Sequence, residues 1–238
     1  MPVDFRKQCI YTVDYNEMYN KITQESFLDD KELQQQYLGL WVKKLKDADK
    51  CISEQFQKPE IKALCMKEII EASEIFQLPV LYSGTIVYIH FSITSYLQGL
   101  KQCNVKRSDA QKIEIGSFTE EHTNFNWTKT NNKVKIKDEP ILIVPFYTGE
   151  YHKYLVIDGN HRITNAIQTG KKEIEAYCMS DDFLVGNNFF PSEYDKLIYI
   201  FQNEIVALGT YTIRDHIAAN NLIRRSFLFT GRTMTLQE

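Results

Sequence analysis

One stretch of the sequence, residues 139–177, constrains the fold of this chain more than any other. Two apolar runs, Ile141-Leu142-Ile143-Val144 and Tyr154-Leu155-Val156-Ile157, predict two buried strands. Between them, Thr148-Gly149-Glu150 is typical of a turn. The second run leads without a break into Asp158-Gly159-Asn160-His161-Arg162, so a strand ends directly in a glycine turn.

A helix is expected immediately after this glycine turn. Apolar residues recur at helical spacing from Ile163 to Ile167, and Gly170 stands where a left-handed residue commonly ends a helix. Residues 172–177 alternate in polarity and predict a third strand. The stretch as a whole therefore predicts two strands, a helix and a further strand in one α/β unit.

The first hundred residues favour helix. Residues 31–56 predict a long amphipathic helix whose buried face is formed by Leu33, Tyr37, Leu40, Trp41, Leu45, Ala48, Ile52 and Phe56. A second helix is predicted over residues 59–76, with Pro59 in its first turn and Pro79 closing it. Residues 81–100 fit a strand by propensity and a helix by periodicity, and we expect a helix.

Shorter patterns complete the secondary-structure prediction. Residues 112–115 alternate as a short strand does, and Ser117-x-x-Glu120 has the form of a capping box that opens a short helix. Towards the C-terminus, a helix is predicted over residues 191–208 and ended by Gly209. A last helix is predicted from Thr212-x-x-Asp215 to about Phe227.

These patterns predict three consecutive segments. Residues 1–104 form a mainly helical N-terminal region, residues 105–180 form the core, and residues 181–238 form C-terminal helices packed on the core. The expected fold class is α/β (α+β), with a small mixed sheet between two helical regions.

Composition excludes several classes of protein. The net charge of −3 over 238 residues argues against a protein whose main role is to wrap nucleic acid. The five cysteines are widely spaced and include no C-x-x-C pair, which favours reduced thiols over a disulfide framework or a zinc ribbon. The most apolar stretch, residues 85–97, is too short to span a bilayer, and the first ten residues lack a signal-peptide pattern. We therefore expect a soluble cytoplasmic protein that does not enter a membrane.

The glycine turn also carries the residue types of an anion pocket. Gly159 permits a sharp turn, and the first turn of the following helix offers unpaired N–H groups with a partial positive charge. Arg162 adds a planar guanidinium that suits phosphate oxygens, and His161 can donate or transfer a proton near neutral pH. Asp158 can hold a metal ion or a hydroxyl group.

A purely structural explanation exists for the same residues. Asp-Gly-Asn is common turn chemistry, Arg162 can be a surface cation, and His161 can be a hydrogen-bonded structural histidine. The position of the turn at the end of a very apolar strand favours a ligand site, because ligands gather at the ends of sheet strands.

The strands, the Asp158-Gly159-Asn160-His161-Arg162 turn, the helix and Gly170 together resemble the ParB/sulfiredoxin superfamily. The resemblance covers roughly residues 105–180. It implies a ParB/sulfiredoxin-type mixed sheet, and it implies that nucleotide phosphates bind at the helix N-terminus, on Gly159, Asn160, His161 and Arg162.

The differences from individual family members narrow what the resemblance implies. Sulfiredoxins have a nucleophilic cysteine where this chain has Asn160, so cysteine-dependent reduction of sulfinic acids is not expected. ParB proteins that bind CTP have a G-E-R-R turn, whose Glu-Arg is replaced here by Asn160-His161, so CTP specificity is not expected. The free-serine kinases of the family have a D-G-H-T-R turn, which Asp158 and Arg162 match, and a separate glutamate base. Candidates for that base, by chain position only, are Glu114, Glu120 and Glu121.

The leading hypothesis is nucleotide binding with phosphoryl transfer or hydrolysis, which would make the chain a nucleotide-dependent phosphotransferase or hydrolase. Gly159, Asn160, His161 and Arg162 would hold the phosphates of a nucleoside di- or triphosphate such as ATP, or of a phosphorylated small molecule. Asp158 would hold Mg²⁺ or a substrate hydroxyl, His161 would donate to the transferring group, and Glu120 is the candidate base.

Two other classes of function stay open. One is a DNA-associated ParB-like binding protein or nuclease of a bacterial plasmid, phage or defence system. Basic residues that bear on it are Lys129, Lys133, Lys135 and Lys137, in a predicted loop or edge strand over residues 124–138, and Arg214, Arg224, Arg225 and Arg232. Solvated surface is the simpler explanation of both groups. The other class is a non-catalytic module that senses an anion and docks a protein partner through its N-terminal helices.

Overall fold

The computed structural model describes residues 2–65, 67, 73–82, 84–131, 137–148, 152–187 and 189–236. Within these ranges the chain is a mixed α/β protein. Its strands, β1 to β9, are Val3–Asp4, Cys9–Ile10, Ile75–Tyr82, Thr85–Ser92, Gln111–Glu114, Phe125–Asn126, Ile141–Thr148, His152–Asp158 and Glu173–Cys178. Its helices, α1 to α9, are Tyr15–Gln24, Lys31–Phe56, Pro59–Cys65, Ile93–Gln102, Asn160–Gln168, Asp181–Gly186, Glu193–Arg214, Ala219–Ile223 and Phe227–Thr230.

The chain forms two compact units rather than three consecutive segments. The first unit combines residues 1–94 with residues 188–238, and the second contains residues 95–187. The C-terminal residues belong to the first unit because α7 packs against α2 and β4, and α8 packs against α2. Trp41 of α2, for example, lies edge-on to Phe201 of α7, with ring centroids 5.5 Å apart.

The long helix predicted over residues 31–56 is confirmed as α2. Asp30 caps it by accepting a hydrogen bond from the Leu33 N–H. Half of the predicted apolar face is buried, namely Tyr37, Trp41, Leu45 and Phe56, and Leu33, Ala48 and Ile52 are half-buried. Leu40 is the exception, because 51% of its surface is exposed.

The helix predicted to run on to Phe76 is wrong, and so is the helix preferred for residues 85–92. The helix predicted over residues 59–76 is observed only as α3, Pro59–Cys65, and residues 66 and 68–72 lie outside the described part. Phe76 and Pro79 belong to β3, which pairs with β4 along its whole length. Pro79 and Tyr88 face each other at a position of the ladder where N–H groups point away from the partner strand, since the Tyr88 N–H donates to the Tyr11 hydroxyl (2.9 Å). The missing N–H of Pro79 therefore costs the ladder no hydrogen bond.

The predicted C-terminal helix boundaries are also wrong. Ser192 caps α7 close to the predicted start, but the helix passes through Gly209 and ends at Arg214. Thr212, predicted to open a new helix, lies inside α7 and donates a hydrogen bond to the Phe27 carbonyl (3.0 Å). The next helix, α8, receives its cap from a distant residue, since the Ala219 N–H donates to Asp29 Oδ1 (3.0 Å).

The second unit is built on a curled five-stranded mixed sheet in the order β5-β9-β7-β8-β6. Strands β7 and β9 are parallel, β7 and β8 are antiparallel, and β6 adds a parallel edge to β8. These strands and α5 confirm the predictions for residues 141–177, and the alternating core side chains include Ile143, Val156 and Ala176. Residues 149 and 150 of the predicted Thr148–Glu150 turn lie outside the described part.

The predicted capping box at Ser117 is wrong, because Ile115–Phe118 forms a short 3₁₀ turn that is followed by a bend. Phe118 at the end of this turn is buried and packs on Phe125, with ring centroids 4.6 Å apart. Burial of Phe118 in the core of the sheet thus fixes this segment. Across the described residues, none of the helices combines the length and the apolarity that a bilayer crossing requires.

Candidate functional site

The glycine turn joins β8 to α5, and its geometry requires glycine. Gly159 has a φ of 103°, in the left-handed region that side chains disfavour. A Cβ at this position would lie 2.3 Å from Ile141 Cγ2. The backbone at Gly159 therefore lies close against a core side chain of β7, at the start of α5.

The first turn of α5 is left without a side-chain cap. Gly159 has no side chain to offer, and the first internal hydrogen bond runs from the Ile163 N–H to the Gly159 carbonyl (3.0 Å). The N–H groups of residues 160–162 consequently point out of the helix end. This end also carries the positive pole of the helix dipole, which favours an anion.

Side chains of α5 hold a neighbouring extended segment in place. Asn160 Oδ1 accepts a hydrogen bond from the Thr128 N–H (2.7 Å), and Thr164 Oγ1 accepts one from the Thr130 N–H (3.1 Å). Lys129, between these two anchors, is exposed beside the helix. Lys133 and Lys135, which belong to the predicted loop or edge strand, lie outside the described residues.

Arg162 and Asp158 form an ion pair across one turn of chain. Arg162 Nη2 donates to Asp158 Oδ2 (2.6 Å), and Nη1 donates to the carbonyls of Glu139 (2.7 Å) and Pro140 (3.0 Å). The Arg162 side chain is only 12% exposed. Its guanidinium therefore has a structural role, since it fixes the residues that lead into β7, and its charge is held close to the start of α5.

His161 lies in the turn, whereas the three glutamates considered as a base, all within the described ranges, form no hydrogen bond or ion pair with it. His161 Nδ1 is buried and has no hydrogen-bond partner in the described part of the chain. Glu120 and Glu121 are exposed in the bend after the 3₁₀ turn, and Glu114 is exposed on β5. Among the described residues, no hydrogen bond or ion pair connects these glutamates to Asp158, His161 or Arg162.

A cavity of about 440 Å³ lies on the side of α5 that carries Arg162. Both cations and carboxylates line it: Arg107, Lys112, Lys137, Asp138, Glu139, Arg162, Lys171, Glu173 and Glu175. Gly159, Asn160 and His161 do not line it, so Arg162 is the predicted site residue that the turn and the cavity share.

Much of the charge in this cavity is paired. Arg107 donates from Nε to Glu175 (2.7 Å) and from Nη1 to Asp138 (3.1 Å), and its guanidinium holds the pKa of the Asp138 carboxyl below its usual range. Lys112 lies 3.4 Å from Glu173. The sequence prediction missed these residues because it did not pair β5 with β9, a pairing that places Lys112 opposite Glu175.

The arrangement provides a positive helix end that suits an oxyanion. No group of three metal-ligating side chains occurs within the described ranges, and Asp158, the predicted metal ligand, already accepts from Arg162. Comparison of the chain with protein-family models, with curated proteins and with solved structures finds no match. The assignment of this site therefore depends on its geometry.

Proposed function

We propose that the second unit binds the phosphate group of a nucleotide, or of another small phosphorylated molecule, at the turn formed by residues 158–162. The observation that carries the proposal is the uncapped start of α5. Its outward N–H groups at residues 160–162 lie beside a guanidinium that is already fixed in place.

The ion pair of Arg162 with Asp158 makes this arrangement suitable for binding. A free arginine loses side-chain entropy when it binds a ligand, whereas Arg162 is ordered beforehand by Asp158 and two backbone carbonyls. Asp158 offsets much of its positive charge, so the helix end supplies most of the attraction for an anion. The buried Nδ1 of His161, which lacks a partner in the described residues, is a further group for a ligand oxygen.

The resemblance to the ParB/sulfiredoxin superfamily supports the same position, since phosphates of that family sit at the corresponding helix N-terminus. In this proposal Mg²⁺ accompanies the nucleotide. A single carboxylate such as Asp158 suffices for it, because Mg²⁺ takes most of its ligands from phosphate oxygens and water. The cavity beside Arg162 is large enough for part of a small molecule.

Phosphoryl transfer or hydrolysis would use residues already at the turn. Asp158 would orient a hydroxyl or the Mg²⁺ ion, and His161 would donate a proton to the transferring group. Glu120 stays a prediction from chain position, because it is exposed and contacts neither of these residues.

The test compares two single-charge variants of α5. Asn160→Asp keeps the oxygen that accepts from the Thr128 N–H and places a negative charge at the helix start, where it favours folding and repels phosphate. Gln168→Glu adds the same charge at the exposed far end of the helix. Binding of ATP, ADP, GTP and CTP with Mg²⁺, and of inorganic phosphate, is measured by calorimetry and by thermal shift on the full chain.

We expect at least one nucleotide to bind, Asn160→Asp to weaken its binding by about tenfold or more, and Gln168→Glu to change it little. Binding that is equally strong in Asn160→Asp would contradict the proposed position of the phosphate. The absence of binding by every nucleotide and by phosphate would contradict the proposed function.

A further inference from the structure

A groove of about 530 Å³ lies in the first unit, between α2, the start of α7 and α9. Its apolar floor comes from Leu40, Ala48, Leu197, Leu228 and Phe229. Phe229 is 60% exposed and Leu40 is 51% exposed, so two large apolar side chains face solvent at one place on the surface. We call this feature the α2–α9 groove.

The helix that presents Phe229 is held firmly in position. The Phe227 N–H donates to the buried carboxyl of Glu204 (2.6 Å), and the Phe227 ring stacks on Trp41 at a centroid distance of 5.9 Å. Ser226 at the start of α9 is completely buried. The exposure of Phe229 is therefore a property of an anchored helix, which gives the groove a preformed shape.

Lysines line part of the groove, and arginines flank α9 along the chain. Lys43 and Lys44 line it from α2. Three arginines, Arg224, Arg225 and Arg232, lie within five residues of Leu228 along the chain. None of these five cations has an ion-pair partner among the described residues.

The two carboxylates of the lining, Asp47 and Glu193, offset only part of this charge. Glu193 is paired with Lys196, whose Nζ lies 2.5 Å from its carboxylate, and Asp47 is the other carboxylate of the lining. An apolar floor with unpaired cations around it complements a ligand that has apolar side chains flanked by carboxylates.

From this charge pattern and the exposed apolar floor, we propose that the α2–α9 groove binds an acidic peptide segment of a protein partner. Apolar side chains of the segment enter between Leu40 and Phe229, and its Asp or Glu residues face Lys43, Lys44 and the arginines. A concave groove between helices accepts a narrow segment, whereas a flat bilayer surface would leave its floor empty. This surface is separate from the proposed phosphate site, which lies in the second unit.

The experiment is selection of a random peptide library on the full-length protein, followed by fluorescence anisotropy with the selected peptides. Phe229→Ser and Lys43→Glu each remove one component of the groove. Ile213→Ser and Lys31→Glu are matched controls, because Ile213 is exposed on α7 and Lys31 is exposed at the start of α2, and neither lines the groove. Circular dichroism confirms that all four variants are folded.

We expect the selected peptides to combine large apolar residues with Asp or Glu. Their affinity should fall at least tenfold in Phe229→Ser and in Lys43→Glu, and stay within about twofold in the two controls. Three results would overturn the proposal: no selected peptide, peptides insensitive to both groove variants, or peptides without acidic residues. If phosphatidylserine vesicles or single-stranded DNA bind the wild-type protein and fail to bind the Phe229→Ser variant, the groove would instead be assigned to that ligand.

Discussion

Each of the two units contains a carboxylate that accepts hydrogen bonds from the chain, and the two carboxylates differ in burial and in their donors. Glu204, in the first unit, is 1% exposed and accepts hydrogen bonds from the Tyr37 hydroxyl, Trp41 Nε1 and the Phe227 N–H. Asp158, in the second unit, is half-buried at the end of β8 and accepts from Arg162. The N–H groups that follow Asp158 point out of a helix end.

This difference separates a structural polar cluster from a candidate binding site. Every group around Glu204 belongs to the chain itself, and together they join α2, α7 and α9. The buried pair of His90 Nδ1 with Asp195 (2.7 Å) is similar in kind, since it connects β4 to α7. The buried hydrogen-bond clusters thus join elements of the first unit, whereas the start of α5 in the second unit has N–H groups that no side-chain cap engages.

The largest effect is expected at Glu204. Glu204→Ala removes the acceptor of the Tyr37 hydroxyl and of the Phe227 N–H, and it leaves Trp41 Nε1 with the Tyr37 oxygen alone (3.0 Å). We expect the free energy of unfolding to fall by about 3–5 kcal/mol. Urea denaturation measures this loss. Phosphate binding by the second unit should be unchanged in protein that remains folded.

Glu204→Gln is the matched control for this prediction. It preserves the shape and one acceptor oxygen, so it should be less destabilising than Glu204→Ala. Equal losses in the two variants would contradict this, because they would show that replacing one carboxylate oxygen costs as much as removing the whole side chain.

A smaller loss is expected at Gly159. Gly159→Ala places a Cβ 2.3 Å from Ile141 Cγ2 in a left-handed residue, which should cost about 2–4 kcal/mol. Gly170→Ala is the comparison, because Gly170 is also left-handed (φ 68°) but a Cβ there meets no atom within 4 Å. Its cost should be about 1 kcal/mol. Thermal unfolding of the two variants distinguishes a steric role of Gly159 from a purely conformational one, since equal losses would exclude the contact with Ile141 as a cause.

The smallest effect concerns pH. Burial raises the pKa of the Glu204 carboxyl above its ordinary value, although its three donors act in the opposite direction. A raised pKa means that the folded protein holds this proton more tightly than the unfolded chain. Its contribution to stability is therefore full below the unfolded pKa of about 4.3 and is lost as pH rises through the folded pKa.

Comparison with Glu204→Gln isolates this contribution, because glutamine does not titrate. We expect the stability of wild type, relative to Glu204→Gln, to be greater near pH 4 than near pH 7. Denaturant unfolding at both pH values measures the difference. A relative stability that increases with pH would show that the three donors outweigh burial.

The sequence was most informative where one pattern decided the structure locally. The period of apolar residues along α2 and the apolar runs before Asp158 each matched a single element, and Gly170 ended α5 as predicted. The glycine turn was predictable for the same reason, since strand, turn and helix follow one another within a few residues.

Other features depend on residues that are distant in the chain. The hairpin of β3 and β4 forms where helical spacing looked plausible, because the β4 edge finds partners such as Asp195, which accepts from the His90 N–H (3.0 Å). The cap of α8 comes from Asp29, some 190 residues earlier. The partners of Arg162 at Glu139 and Pro140 likewise required the fold, and they gave this residue a structural role that its local sequence does not reveal.

The most direct test of the central claim is the response of individual amide groups to a phosphate ligand. Titration of the ¹⁵N-labelled protein with inorganic phosphate and then with Mg-ATP, followed by NMR, should shift the amide signals of Asn160, His161 and Arg162 more than those of any other residues. Shifts that are concentrated elsewhere, with these three amides unmoved, would contradict a phosphate site at the start of α5.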